Sequence, residues 1–448
     1  MPEATKSTIA KHGSSAAIPP GPDVSISLDV DLESQQAIAT LIKQYGEIFL
    51  VNDPKRANPT LVVTNPEAIK RILVSNNTNY LKGRGFERVK MLLGNGIIVS
   101  DGSFWRRQRT MIQPAFSRKN IQQLCDMMKA VTQNLIPQWQ AKARAGEAID
   151  ITTEMSEFAL EVILRALISS DLDALITSNG ENPFAFLTDD TTRDLALAMK
   201  FRQLAPLLQT LIDQRRHNLD KEPAQLKHDL LEALMAATDK NGEPMSDKEL
   251  IDEIMTMIIA GHETSAGTLN WIWVELAQNP DTEDRLFQEA SKHIKNDNIS
   301  MEAVVNLSYT KQVINEALRL YPPVWLFTRK AISDDTITGF HVAADTDIFL
   351  SPFFTHRDPA LWDKPNTFNP DNFANDGANI KHKYAFIPFS AGSRRCIGEY
   401  FSYIEMQTHL AILVNRFKLK LIPDQPIEID PGINLRTKNS IMMTLAIR

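Results

Sequence analysis

The chain has 448 residues, of which 43 % are hydrophobic and 23 % are charged, as in ordinary globular proteins. Its formal net charge of -7 excludes a bulk electrostatic attraction to nucleic acid. The two cysteines, Cys125 and Cys396, could form at most one disulfide, which excludes a disulfide-rich secreted framework and favours a reducing, cytoplasmic location. No stretch of about eighteen uninterrupted apolar residues occurs, so we expect no membrane anchor.

The first predicted elements follow a Pro-rich lead-in, residues 1–22. Residues 47–51 and 60–63 are rich in β-branched and aromatic side chains and predict two strands joined by a turn-rich segment. The Asn-Pro-Glu sequence at 65–67 is a helix start signal, and the helix is predicted to run through residue 73.

Helix predominates in the middle of the chain, with a mostly helical pattern over about 103–278. The segment 182–216 has no clear helix boundaries. The final third mixes short helices with short strands and closes with a helix over about 397–417 and a strand-like tail. No repeat or linker separates two cores, so we predict one mainly α domain with a minor β portion over residues 23–448.

A single long helix is predicted between a capping box that begins at Ser246 and the Asn279-Pro280 pair that must end it. At 1.5 Å per residue this helix spans roughly 50 Å, and its apolar residues require it to cross the interior. Its middle, residues 260–264, breaks local rules, because Gly, His, Glu and Thr stand where apolar residues would pack better. Such violations at a buried centre are expected at functional sites.

The segment Phe389–Gly398 places Cys396 between two glycines and directly after two arginines. An isolated cysteine is most often a small buried hydrophobe. Here the glycines allow close approach of a flat ligand, and cations together with a helix N-terminus favour a thiolate. A thiolate is the electron-rich axial ligand that helps iron to cleave the O–O bond.

The F-x-x-G-x-R-x-C-x-G arrangement of this segment resembles the haem-ligand loop of the cytochrome P-450 family. Four further motifs are similar to family motifs in order and spacing, over a chain segment from about residue 20 to the end: Trp105–Arg109, Ala260–Thr264, Glu316–Arg319 and Pro365–Phe373. The resemblance implies the family fold, with the long helix over haem b and the cysteine loop beneath it.

The resemblance also assigns residues to the cofactor. Cys396 is the expected iron ligand, and the predicted haem-binding residues are Trp105, Arg109, Arg329, Arg394, Phe389, Gly392, Gly398 and Ala260. Arginine is suited to the propionates because its guanidinium donates a fork of hydrogen bonds to a carboxylate. For each arginine alone, the alternative is a solvated surface charge.

Glu263 and Thr264 resemble the acid–alcohol pair that relays protons to bound dioxygen. For Thr264 the alternative is a hydroxyl bonded back to its own helix. A zinc-protease H-E-x-x-H motif is excluded, because Ala266 stands where the second histidine is required. Glu316 and Arg319 lie one turn apart and are expected to form a structural pair; the family's third partner is an arginine, and here it is Asn372.

The resemblance implies a monooxygenase that uses dioxygen and electrons from a separate ferredoxin or flavodoxin to hydroxylate or epoxidise a hydrophobic small molecule. Oxidative coupling or desaturation by the same haem chemistry stays open, and a haem sensor without oxygen chemistry is the alternative of another class. A basic face at Lys381, Lys383, Arg394 and Arg395 could steer the donor, although a solvated charge run explains the lysines equally well. Candidate pocket residues, which could also be plain core, are Leu93, Ile98, Met257, Val324, Leu326 and Ile433.

Overall fold

A computed structural model describes residues 16–54, 56–189, 195–221, 227–295, 298–378 and 380–448. Helix predominates, as the sequence predicts. In chain order the helices are α1 (Leu32–Tyr45), α2 (Pro66–Lys70), α3 (Phe86–Leu93), α4 (Gly102–Ile112), α5 (Arg118–Gln123), α6 (Cys125–Ala145), α7 (Ile151–Ile168), α8 (Asp171–Asn179), α9 (Phe186–Asp189), α10 (Leu195–Arg202), α11 (Ala205–Lys221), α12 (Leu230–Met235), α13 (Asp247–Gln278), α14 (Pro280–His293), α15 (Met301–Val305), α16 (Ser308–Leu320), α17 (Pro352–Thr355), α18 (Ala374–Gly377) and α19 (Glu399–Val414).

The strands form a minor part of the fold. They are β1 (Ile48–Val51), β2 (Thr60–Val63), β3 (Tyr80–Lys82), β4 (Ala148–Asp150), β5 (Phe327–Ala331), β6 (Asp335–Ile337), β7 (Phe340–Val342), β8 (Asp347–Leu350), β9 (Phe417–Leu421), β10 (Ile429–Pro431), β11 (Leu435–Thr437) and β12 (Met442–Ile447). The largest sheet has the order β1-β2-β8-β5-β3, and only its β2–β8 pair is parallel. β4, β12 and β9 form a second sheet, and β6–β7 and β10–β11 are hairpins.

The long helix α13 is confirmed, and its capping box is formed as predicted, with Ser246 and Glu249 bonding reciprocally. The helix packs along α7 in the main core. Gly261 lies at this contact, because a Cβ there would stand 2.8 Å from two side-chain carbons of Ile163 on α7. A residue that weakens a helix therefore permits the close approach of two buried helices.

Two predicted helices are confirmed with different bounds. Asn65 caps α2 by accepting from the Ala68 amide at 3.0 Å, and the chain continues as a π turn over Arg71–Ser75. The closing helix begins at Glu399, two residues after the predicted start at Ile397, so Cys396 precedes its first turn. Within the described residues, no helix is both long and apolar enough to span a bilayer.

Of the predicted lead-in, residues 1–15 lie outside the described part of the chain. Its last residues pair with the β structure: the Ala17 amide donates to the Gly339 carbonyl at 3.2 Å, and the Leu50 amide donates to the Pro20 carbonyl at 2.8 Å. The segment 182–216 contains α9, α10 and most of α11, and its residues 190–194 also lie outside the description.

Candidate active site

The cysteine loop precedes α19 and is held by its own backbone. The Cys396 amide donates to the Phe389 carbonyl at 2.9 Å, which closes the loop. Ser390 and Gly392 both have left-handed backbones, with φ of 60° and 70°. A Cβ on Gly392 would stand 1.9 Å from the Leu73 carbonyl oxygen, so only glycine fits where the loop crosses the π turn. Packing of the loop is therefore enough to require Gly392.

Cys396 is exposed as a residue, and neighbouring protein groups desolvate its thiol. Desolvation raises the pKa of the thiol to about 11; the Gly398 amide, which donates to the sulfur, and Arg109 and Arg395 oppose this rise. The two arginines thus lower the pKa of the thiol, the direction that the sequence predicts, but desolvation outweighs them. A coordinated metal ion removes the proton from a thiol outright, so the thiolate state belongs to the metal-bound protein.

Three cations lie together beside this loop. Arg329 is only 4 % exposed and donates to its neighbour's carbonyl, Thr328 O, at 2.8 Å. Burial, and then repulsion from Arg394, lower the pKa of Arg329 to about 10. Lys82 is half-buried as a residue, but burial of its ammonium group, followed by Arg329 and Arg394, lowers its pKa well below the usual value.

One carboxylate faces this cluster. Arg394 forms an ion pair with Asp101, donates to the Ser100 carbonyl at 3.0 Å, and stacks at 4.2 Å over the Trp105 ring. Within the described residues, Asp101 is the acidic group that acts on all three cations. Three basic side chains against one carboxylate leave an excess of basic groups at a largely enclosed position. Such an arrangement is complementary to an anionic ligand.

The structure places Arg109 beside Cys396 and not in the cluster of the other three cations. Its guanidinium donates to the Arg395 carbonyl at 3.0 Å and to the Gln113 side chain at 3.3 Å, on the same side as the sulfur of Cys396. Sequence reasoning grouped Arg109 with Arg329 and Arg394, and it missed Lys82. A single lysine in a three-residue strand carries no local signal, because its partners are far away in sequence.

The middle of α13 keeps some accessible surface although the helix crosses the core. Residues 259–261, Glu263, Thr264 and Gly267 are half-buried, whereas His262, Ser265, Ala266 and Thr268 are buried. Ala260, Glu263, Thr264 and Gly267 recur three and four residues apart, so they share one face of the helix. That face carries both candidate relay residues.

The two candidate relay residues have defined partners. The Thr264 hydroxyl donates to the Ala260 carbonyl at 2.7 Å, so it is bonded back to its own helix. The Glu263 carboxylate accepts from the side-chain amide of Asn434, in the turn of the β10–β11 hairpin. Their neighbour His262 is fully buried and bonded to Ser156 at 2.9 Å, which indicates a packing role.

One hydrogen bond ties this part of α13 to the helix that follows the cysteine loop. The Ser265 hydroxyl donates to the Glu405 carboxyl of α19 at 2.6 Å, and both groups are buried. Burial raises the pKa of Glu405 to about 8. Because Ser265 follows Thr264 and α19 follows Cys396, this contact links the relay segment to the cysteine loop. Sequence reasoning did not identify Glu405.

Glu316 and Arg319 form the predicted pair in α16, and both side chains are 0 % exposed. The guanidinium binds the carboxylate through two contacts, at 2.6 and 2.7 Å, and also donates to three carbonyls, those of His356, Pro365 and Thr367. Asn372 donates to both Glu316 oxygens, at 3.1 and 3.2 Å. The amide thus occupies the third position of the network without adding a charge.

The candidate pocket residues divide into two groups. Leu93, Met257 and Leu326 are 1 %, 5 % and 7 % exposed and belong to the main core, which favours the packing alternative. Ile98 is half-buried, and Val324 and Ile433 are exposed. These three have surface that a ligand could contact.

The expected basic face is largely neutralised. Arg394 points inwards to Asp101, Lys381 pairs with Asp363 at 3.1 Å, and Arg395 binds Glu399 through two contacts. Lys383 lies 5.8 Å from the Tyr384 ring. Exposed ion pairs of this kind carry little net field.

The family model described as Cytochrome P450 matches this chain over residues 19–444. The chain belongs to the cytochrome P450 family. Cyclooctatin synthase of Streptomyces melanosporofaciens is 32 % identical over 390 residues, which cover 84 % of each protein. Pentalenene oxygenase of Streptomyces avermitilis is 29 % identical over 83 % of this chain and 85 % of its own length. The solved structure of a cyanobacterial CYP120A1 with retinoic acid bound has a TM-score of 0.82 at 24 % identity, and the match covers 97 % of this chain and 100 % of that one.

The protein is therefore a cytochrome P450 monooxygenase, an oxidoreductase with haem b as its cofactor. It acts with dioxygen on hydrophobic substrates. The residues of this site fit the cofactor in two respects. Cys396 is exposed beside the loop glycines, and the enclosed cluster has more basic than acidic side chains, which suits the anionic propionates of haem b.

Proposed function

We propose that this P450 hydroxylates or epoxidises a terpene-like hydrophobic molecule, with electrons delivered by a separate ferredoxin or flavodoxin. The names of the two Streptomyces relatives, which refer to cyclooctatin and pentalenene, support this substrate class. The half-buried face of α13 carries the proposal, because it sets an acid and an alcohol in the middle of a helix whose other residues pack mostly in the apolar core.

Cys396 is the proposed iron ligand. When bound, thiolate-ligated haem activates dioxygen so that one oxygen atom enters the substrate and the other leaves as water, with electrons and protons consumed in equal number. The Gly398 amide donates to the sulfur and so draws electron density from it, which tunes the ligand. Arg109 acts on the same group through its charge.

Arg329, Arg394 and Lys82 would hold the haem propionates, with Trp105 fixing the orientation of the Arg394 guanidinium. The bound carboxylates would offset the burial and the mutual repulsion that now lower the pKa values of Arg329 and Lys82. The cluster therefore serves binding and orientation rather than chemistry. Phe389, Gly392, Gly398 and Ala260 stay predicted neighbours of the porphyrin.

Glu263 and Thr264 are the proposed proton relay. The Thr264 hydroxyl, now bonded to the Ala260 carbonyl, can turn away from its own helix and donate to a ligand, and the Glu263 carboxylate is the adjacent group that can resupply the proton. A haem sensor without oxygen chemistry has no use for such a pair.

The test is turnover under ¹⁸O-labelled dioxygen with a panel of cyclic terpenes, a generic bacterial ferredoxin and its reductase. We expect a product that carries a single labelled oxygen atom from at least one terpene. If reductant is consumed across the whole panel and no labelled product forms, the proposal is wrong and the sensor alternative gains support.

A further inference from the structure

The turn of the β10–β11 hairpin reaches α13 at Glu263. Asn434 lies in this turn, and its side-chain amide donates to the Oε2 atom of Glu263. The hairpin also approaches the helix one turn later, where the Leu435 carbonyl oxygen lies 3.7 Å from the Cβ position of Gly267. The hairpin and the polar face of α13 are thus in contact along one turn.

Other contacts hold this hairpin in place. The Trp325 indole donates to the Gly432 carbonyl at 2.9 Å, and the Leu435 amide donates to the Pro323 carbonyl at 2.8 Å. Across the two strands, Arg436 pairs with Asp430 at 3.0 Å. These contacts fix the backbone on both sides of Asn434, so its amide meets Glu263 from a rigid support.

We propose that Asn434 is a positioning residue for the proton relay: its amide holds the Glu263 carboxylate in the orientation from which it supplies Thr264. The inference rests on the relay role proposed above. An amide that donates to a carboxylate forms a charge-assisted bond with a defined direction, and such a bond restricts the rotation of the side chain that accepts it.

A purely structural role for Asn434 explains its placement less well than a positioning role does. Both partners are half-buried, and a hydrogen bond with access to solvent adds little to stability. The hairpin is already fixed by an indole, a backbone amide and an ion pair. What this bond adds is control of one carboxylate next to the relay alcohol.

The first test compares product formed per electron in Asn434→Ala, Glu263→Gln and the double variant, using the terpene that gives most product with the wild type. Asn434→Ala is expected to lower this ratio about tenfold, less than Glu263→Gln, because the acid is retained but not oriented. Since Asn434 acts only through Glu263, the double variant is expected to equal Glu263→Gln alone. An additive double variant, or an unchanged Asn434→Ala, overturns the inference.

Two further variants separate positioning from folding. Asn434→Asp keeps the shape but replaces the donor with a like charge, so it should match or exceed the loss seen in Asn434→Ala. Asp430→Asn disrupts the ion pair of the same hairpin without touching Glu263, and it should retain the wild-type ratio and solvent isotope effect. If Asp430→Asn loses coupling as Asn434→Ala does, the hairpin acts through stability alone and the inference is wrong.

An infrared measurement gives a readout that needs no turnover. The carboxylate stretch of Glu263, identified by its loss in Glu263→Gln, should shift in Asn434→Ala and stay unchanged in Asp430→Asn. An unshifted band in Asn434→Ala overturns the inference. If the wild type forms no labelled product, the proposed function is wrong. If the wild type is productive and Asn434→Ala behaves as the wild type does, only the inference about Asn434 is wrong.

Discussion

The Glu316–Arg319 pair provides the sharpest stability prediction. Replacing Glu316 by Gln keeps the shape of the side chain but leaves the fully buried Arg319 guanidinium without a counter-charge. The three carbonyls that accept from Arg319 remain, but they carry only partial charges. Breaking a buried pair in this way costs about 3–5 kcal/mol, because one uncompensated charge stays in the interior.

The size of the effect follows from the length of the chain. With an unfolding entropy of about 2.1 cal/mol/K per residue, a loss of about 4 kcal/mol lowers the melting temperature by roughly 4 °C. Circular dichroism melts at fixed scan rate measure the shift. The matched control is Asp371→Asn, which removes the exposed Arg285–Asp371 pair from the same region and should shift the midpoint by less than about 1 °C. If the melting temperature of Glu316→Gln shifts no more than that of the control, the pair does not stabilise the fold as its burial indicates.

Three further predictions concern the site. Arg329→Met removes one buried cation from the cluster and should weaken propionate binding by about 2 kcal/mol, so haem should transfer to apomyoglobin roughly thirtyfold faster. Transfer at the wild-type rate would show that Arg329 does not hold the propionates. Thr264→Ala should divert electrons to hydrogen peroxide, with about tenfold less product per electron; unchanged coupling would argue against the relay. Arg109→Ala should also speed haem loss, because it removes the hydrogen bond to the Arg395 carbonyl. Full haem retention would indicate that Arg109 is only a surface charge.

Structural features that depend only on residues close together in the chain could be predicted from the sequence. The capping box at Ser246 and the proline at 280 fix the ends of α13 because each acts on its own backbone. The cysteine loop is equally local, since its glycines and cations lie within ten residues of one another. The partner of the Glu316–Arg319 pair could be assigned because the meander motif fixes the position of Asn372.

Features that depend on tertiary approach could not be predicted. Gly261 and Gly392 are required by Ile163 and by the Leu73 carbonyl, which are far away in sequence. Lys82 and Glu405 become notable only once folding encloses them near other charged or polar groups. The cations beside Cys396 act on its pKa in the predicted direction, but the larger effect of desolvation could not be predicted because it depends on the whole surrounding fold.

The sulfur of Cys396 is the proposed ligand of the haem iron, and the spectrum of the reduced, carbon monoxide-treated protein tests this assignment. We predict the far-red-shifted Soret band of thiolate ligation, kept in Cys125→Ser, whose thiol is buried in the core, and lost in Cys396→Ser. A band of the histidine-ligated type in the wild type, or a shifted band that survives in Cys396→Ser, would show that Cys396 is not the iron ligand.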